Sequence, residues 1–136
     1  MKKNKKSRID IYTNLYGVDL VVANKYTTIE ELRKDYTFYD GVELTEEIMD
    51  CMATTSKVRR KSDNRYCMLV KYNQGSKIKD RNPKLEFVNT ISHEAAHVAI
   101  DIYQYIDQDL CPCSSEPFCY LVGWATECIY KTLQSK

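Results

Sequence analysis

One hundred and thirty-six residues suit one compact domain, 1–136, and are too few for two; 43% apolar side chains with only four Gly and three Pro can fill a real core. Twenty basic and nineteen acidic side chains leave a net charge of +1, so no overall field draws in nucleic acid or an anionic membrane. No apolar run reaches the roughly 18 residues that a membrane span requires, so no membrane partner is expected.

The chain opens on Met1-Lys2-Lys3-Asn4-Lys5-Lys6-Ser7-Arg8, a basic arm expected to be flexible over residues 1–8. It has the charge of an export signal's first segment, but the alternating Ile9-Asp10-Ile11-Tyr12-Thr13 follows instead of a continuous apolar stretch. A cytoplasmic location is therefore expected. The six cysteines, at 51, 67, 111, 113, 119 and 128, then read as mostly reduced thiols and not as a disulfide framework.

Ile9, Ile11 and Thr13 alternate with polar neighbours, as do Val18, Leu20 and Val22 beyond a turn at residues 14–17, which predicts a hairpin. Thr27 with Glu30 has capping-box spacing and predicts a short helix over residues 28–34. Tyr39-Asp40-Gly41 marks a turn, and residues 43–50 fit either a helical turn or irregular chain. Met52, Thr54, Ser56 and Val58 alternate, Ser62-Asp63-Asn64 turns, and Tyr66–Tyr72 is rich in β-formers, giving a second hairpin. Lys57-Val58-Arg59-Arg60-Lys61 is a basic cluster beside that turn. It has no interleaved aromatics and reads as a solvated end, so no nucleic-acid partner is expected. Residues 73–80 read as a polar loop.

The period then changes. Asn82 caps a helix with Pro83 in its first position, and Val88, Ile91, Ala95, Val98, Ala99, Ile102 and Ile106 form one apolar stripe over about 22 residues. After a polar stretch, Ser115 caps a second helix that buries Phe118, Leu121, Val122, Ala125, Cys128 and Ile129. The order ββα, ββ, αα predicts an α+β domain with a small, antiparallel-rich sheet.

Chemistry concentrates at His93-Glu94-Ala95-Ala96-His97, which holds the only two histidines. Residues four apart on a helix lie one above the other, so both imidazoles reach one ion. Glu94, rotated by about 100° from His93, can take a proton from water on that ion without ligating it. Two neutral nitrogens, an open position and a carboxylate base are what a zinc hydrolase requires. By chance this composition yields the pattern in roughly one shuffled sequence per thousand, which favours the metal over an ordinary polar helix face.

A third protein ligand is needed and no third histidine exists. Glu116 is the first choice: it follows His97 by 19 positions and opens the next helix, where a carboxylate otherwise only complements the helix dipole. Glu127 competes for the place, and Asp101, one turn beyond His97, can ligate or orient an imidazole. Cys111 and Cys113, joined to the histidines, would make a closed structural site instead, although a one-residue gap is short for such a pair.

His93-Glu94-Ala95-Ala96-His97 with a downstream Glu116 resembles the gluzincin branch of the zincin metallopeptidases, in a minimal single-domain form. Glu116-Pro117-Phe118-Cys119 is similar to the glutamate-bearing helix of small bacterial and phage zincin-like proteins. The likeness covers residues 82–131. It implies a zincin-like fold with an active-site helix and a C-terminal glutamate-bearing helix. By it, His93, His97 and Glu116 hold Zn2+, Glu94 is the general base, and a protein or peptide substrate pairs with an edge strand at Tyr66–Tyr72. The chain departs from larger gluzincins, which place Asn before the ligand Glu and Asp four residues after it, where this chain has Ser115 and Tyr120. Tyr120, one turn beyond Glu116, is a candidate donor to a developing oxyanion. A non-enzymatic binding protein on the same scaffold is the alternative, against which an intact Glu94 argues.

Overall fold

The computed structural model describes residues 5–74 and 80–134. Five strands form one mixed, mostly antiparallel sheet: β1 (Ile9–Tyr12), β2 (Asp19–Ala23), β3 (Tyr36–Phe38), β4 (Ala53–Arg60) and β5 (Tyr66–Tyr72), in the spatial order β1-β2-β5-β4-β3. Only β2 and β5 run parallel, with Leu20 beside Met68 and Val22 beside Val70. Three helices complete the α+β domain: α1 (Ile29–Asp35), α2 (Pro83–Tyr105) and the long C-terminal α3 (Glu116–Leu133). No helix among the described residues is long and apolar enough to cross a membrane.

The alternation of strand side chains divides the core in two. Leu20, Val22, Met68 and Val70 meet Ile91, Ala95, Val98, Ala99 and Ile102 of α2 and Leu121, Ala125 and Ile129 of α3. On the other face Val21, Ala23, Val58, Cys67 and Leu69 pack against Ile29 and Leu32 of α1 and against Leu44 and Ile48. Because β2 and β5 are buried on both faces, they read as continuous apolar runs, the mark of interior strands. Tyr66–Tyr72 is therefore flanked by β2 and β4 and is not the edge strand that the family resemblance implied.

Both hairpin expectations hold, and α2 starts at Pro83, with the Asn82 side chain accepting from the Lys84 and Leu85 N–H groups. The stripe on α2 is not continuous, however: Val88 is 60% exposed. Phe87 turns inward in the first turns instead, against Tyr72 and Tyr130. Ser115 stands at the start of α3 but makes no side-chain capping bond. The 3-10 turn Glu46–Met49 falls in the stretch 43–50 that the sequence left open, and the short strand β3 was not anticipated.

The first helix begins one residue later than its spacing suggested. The capping box closes on Thr28 and Glu31: the Glu31 N–H donates to the Thr28 hydroxyl at 3.2 Å, and the Thr28 N–H donates to the Glu31 carboxylate at 2.7 Å. That backbone donor holds the Glu31 carboxyl below its ordinary range. Thr28→Ala is expected to lower stability by about 1 kcal/mol, read as a shift in urea midpoint, whereas Thr27→Ala removes no capping bond.

Residues 1–4 of the basic arm, and part of the loop expected at 73–80, lie outside the described residues. From Lys6 onward the arm is tied down: the Asn24 amide donates to the Lys6 carbonyl, the Arg8 N–H donates to the Asn24 side chain, and Ser7 bonds Thr27. The cluster at 57–61 is likewise not a solvated end. Arg60 is paired with the buried Asp19 at 2.5 Å, Lys61 donates to the Arg33 carbonyl, and the Arg59 guanidinium lies 5.0 Å over the Tyr39 ring. The aromatic partner absent from the local sequence comes from across the sheet.

Candidate metal and hydrolytic site

Helical spacing places His93 and His97 on one exposed ridge of α2, clear of the apolar stripe. Their Nε2 atoms are 3.1 Å apart, with the rings edge to face. Two nitrogens at about 2.0–2.1 Å from one tetrahedral ion lie about 3.3 Å from each other. The pair thus already has nearly the span that a shared zinc ion requires, and the two imidazoles fit that ion as ligands.

Glu94 is buried, at 6% exposure, between α2 and β4. The Thr55 hydroxyl of β4 donates to its Oε2 at 2.5 Å, which fixes the carboxylate one residue away from the first histidine. Alternation puts Thr55 and Lys57 on the helix-facing side of β4, so the strand presents a series of polar groups to this flank of α2. The Lys57 ammonium donates to the Gln104 side chain at 3.1 Å and approaches Asp101 to 3.9 Å. Burial pushes the Asp101 carboxyl up, and the nearby Lys57 and His97 only partly oppose this. Further along, Tyr66 and Tyr105 stack at 4.5 Å between centroids, and burial pushes the Tyr66 phenol up to about 12.

Strand β4 also has an open side at this point. β3 pairs only with Val58, Arg59 and Arg60, and the Tyr39 N–H donates to the Lys57 carbonyl on the same side. Backbone groups alternate in direction along an antiparallel strand, so Thr55 turns its N–H and carbonyl toward that side, where no strand of the sheet pairs with it among the described residues. A cleft of about 220 Å³ lies there, lined by Phe38, Glu47, Ile48, Thr54, Thr55 and Ser56. β4 itself lies between β5 and β3, and only its stretch around Thr55, beyond the end of β3, is open on that side next to Glu94.

The other expected residues gather elsewhere. Glu116 and Tyr120, one turn apart at the start of α3, share a cleft of about 690 Å³ with Leu15, Tyr16 and Trp124. The structure therefore brings His93 to His97 and Glu116 to Tyr120, as two separate pairs. Among the described residues no group of three or more His, Cys, Asp or Glu side chains converges as a metal site. Glu127 is engaged by Lys131 at 2.8 Å on the exposed side of α3, and Cys111 and Cys113 lie exposed in the connecting loop.

Sequence reasoning missed Thr55. Its signal was the alternation of β4 opposite a helix carrying a buried carboxylate, which only the pairing of α2 with β4 makes visible. No protein-family model, curated protein or solved structure matches this chain.

Proposed function

We propose that this protein is a zinc-dependent hydrolase of the zincin kind that cleaves a protein or peptide. The observation that carries the reading is the His93–His97 pair at 3.1 Å beside a buried Glu94 held by Thr55, next to the open side of β4. A zinc ion, when bound, would acidify water and polarise a carbonyl. His93 and His97 would hold it through Nε2, with Glu94 as the acceptor of the water's proton. Glu116, which stands in a separate cleft at the start of α3, is proposed as the third ligand and would have to move to the histidine ridge to serve. Thr55 keeps the Glu94 carboxylate oriented through its hydroxyl while its backbone offers an extended substrate one rung of sheet pairing. Tyr120, beside Glu116 in that cleft, is proposed to donate to the developing oxyanion after the same movement.

The non-enzymatic alternative draws on a different feature, the 690 Å³ cleft flanked by the exposed Leu15 and Tyr120, which can take an apolar partner without chemistry.

The test is zinc content per chain after purification without chelator, for the native protein and for His97→Ala and Glu116→Ala. The expected result is close to one zinc in the native chain, almost none in His97→Ala and a 10-fold or greater loss of affinity in Glu116→Ala. Zinc kept by Glu116→Ala would transfer the third position to Asp101 or Glu127. A native chain that takes up no zinc on reconstitution would overturn the hydrolase and leave the binding protein.

A further inference from the structure

The loop between α2 and α3 holds a pair of thiols outside the proposed hydrolytic site. Cys111, Pro112 and Cys113 enter a short 3-10 turn, Pro112–Ser114, closed by the Ser114 N–H donating to the Cys111 carbonyl at 3.0 Å. Pro112 fixes the backbone between the two cysteines. Both thiols are exposed in this turn, where the Cys113 N–H and the side chains of Ser114 and Cys113 turn toward the Cys111 sulfur as donors. These donors favour the charged form of the sulfur and hold the Cys111 thiol below its ordinary range. The other four cysteines lack this arrangement. Cys67 and Cys128 are buried, with burial pushing both thiols up, and Cys51 and Cys119 are exposed outside the turn.

We infer that Cys111 and Cys113 form a thiol–disulfide exchange site whose substrate is a low-molecular-weight disulfide, with Cys111 the attacking and Cys113 the resolving residue. The Cys111 thiolate attacks one sulfur of the disulfide R–S–S–R, forming a mixed disulfide at Cys111 and releasing one thiolate. Cys113 gives its proton to solvent and attacks the Cys111 sulfur, which releases the second thiolate and leaves a Cys111–Cys113 disulfide. Two protein thiols are oxidised and one external disulfide is reduced to two thiols, so electrons and atoms balance. Both thiols lie in one tight turn that is open to solvent, so no part of the core needs to move.

The experiment exposes the full-length reduced chain to oxidised glutathione and follows intact mass and the number of alkylatable thiols over time. The native chain is expected to lose two thiols with no retained glutathione. Cys113→Ser is expected to stop at one retained glutathione, and Cys111→Ser to react at least about 10-fold more slowly, near the rate of the exposed Cys51. Serine at these exposed positions disturbs no packing, so both variants report on the chemistry. Unchanged oxidation of Cys111→Ser, or loss of the internal disulfide in Cys119→Ser, would overturn the assignment.

Discussion

Glu94→Gln is expected to lower the rate of peptide cleavage by about 10²–10⁴-fold while zinc content stays at the native level. Glutamine keeps the shape of the side chain and an oxygen that accepts the Thr55 hydroxyl bond, so the α2–β4 contact survives. What it cannot do is accept a proton. The two readouts separate the roles: a ligand would lose metal on substitution, a merely structural carboxylate would lose stability, and a base loses turnover alone. Cleavage of an unstructured peptide pool followed by mass spectrometry, with elemental analysis of the same sample, makes the measurement. Turnover unaffected by Glu94→Gln would remove the general base and with it the proposed mechanism.

The second large effect concerns Lys71, which is fully buried on β5 and donates to the carbonyls of Asn24 and Tyr72 at 3.0 and 2.9 Å. Burial pulls its ammonium down to about 8 from an ordinary 10.5, against a small opposing pull from Glu31. Below pH 8 both the folded and the unfolded chain carry the proton, and the folded state bears the full cost of the buried charge. Between pH 8 and 10.5 the unfolded lysine still binds a proton that the folded one has released, so the lysine's contribution to stability rises with pH. Relative to Lys71→Met, the native chain should gain on the order of 3 kcal/mol between pH 7 and 10.5. Urea unfolding of both proteins across that range gives the difference, in which the titration of Cys128 and the tyrosines largely cancels. A pH-independent difference would mean that Lys71 is neutral already at pH 7 or is charged without penalty.

Local chemistry was the legible part of this chain. Asn82 followed by Pro83 marks the start of α2 because a capping side chain and a missing N–H both belong at a helix's first turn. The histidine spacing likewise predicted the contact of two imidazoles. The first capping box was ambiguous because Thr27-Thr28 and Glu30-Glu31 offer two frames, and the burial of Ile29 and Leu32 against the sheet selects the second. The edge strand was misplaced for a non-local reason. Cys67-Met68-Leu69-Val70 is apolar on both faces, which marks an interior strand, but its partner β2 lies almost fifty residues upstream and no turn signals that pairing. Glu116 shows the same limit: its position in sequence names the helix it opens, whereas the direction of its carboxylate depends on how α3 packs beside the β1–β2 turn.

The parallel pairing of β2 with β5 has a consequence for the nascent chain. Made from the N-terminus, the β1–β2 hairpin emerges with every residue of β2 destined for burial, yet β5 follows much later and the helices that cover the sheet come last. Until then Leu20, Val21 and Val22, paired only with β1, leave one open strand edge and two uncovered apolar faces, the kind of segment that self-associates or recruits a chaperone. Ribosome-bound chains truncated before residue 66 should therefore be protease-sensitive and chaperone-bound. Protection should appear only once α3 has cleared the exit tunnel, which places the assembly of the whole domain after its synthesis.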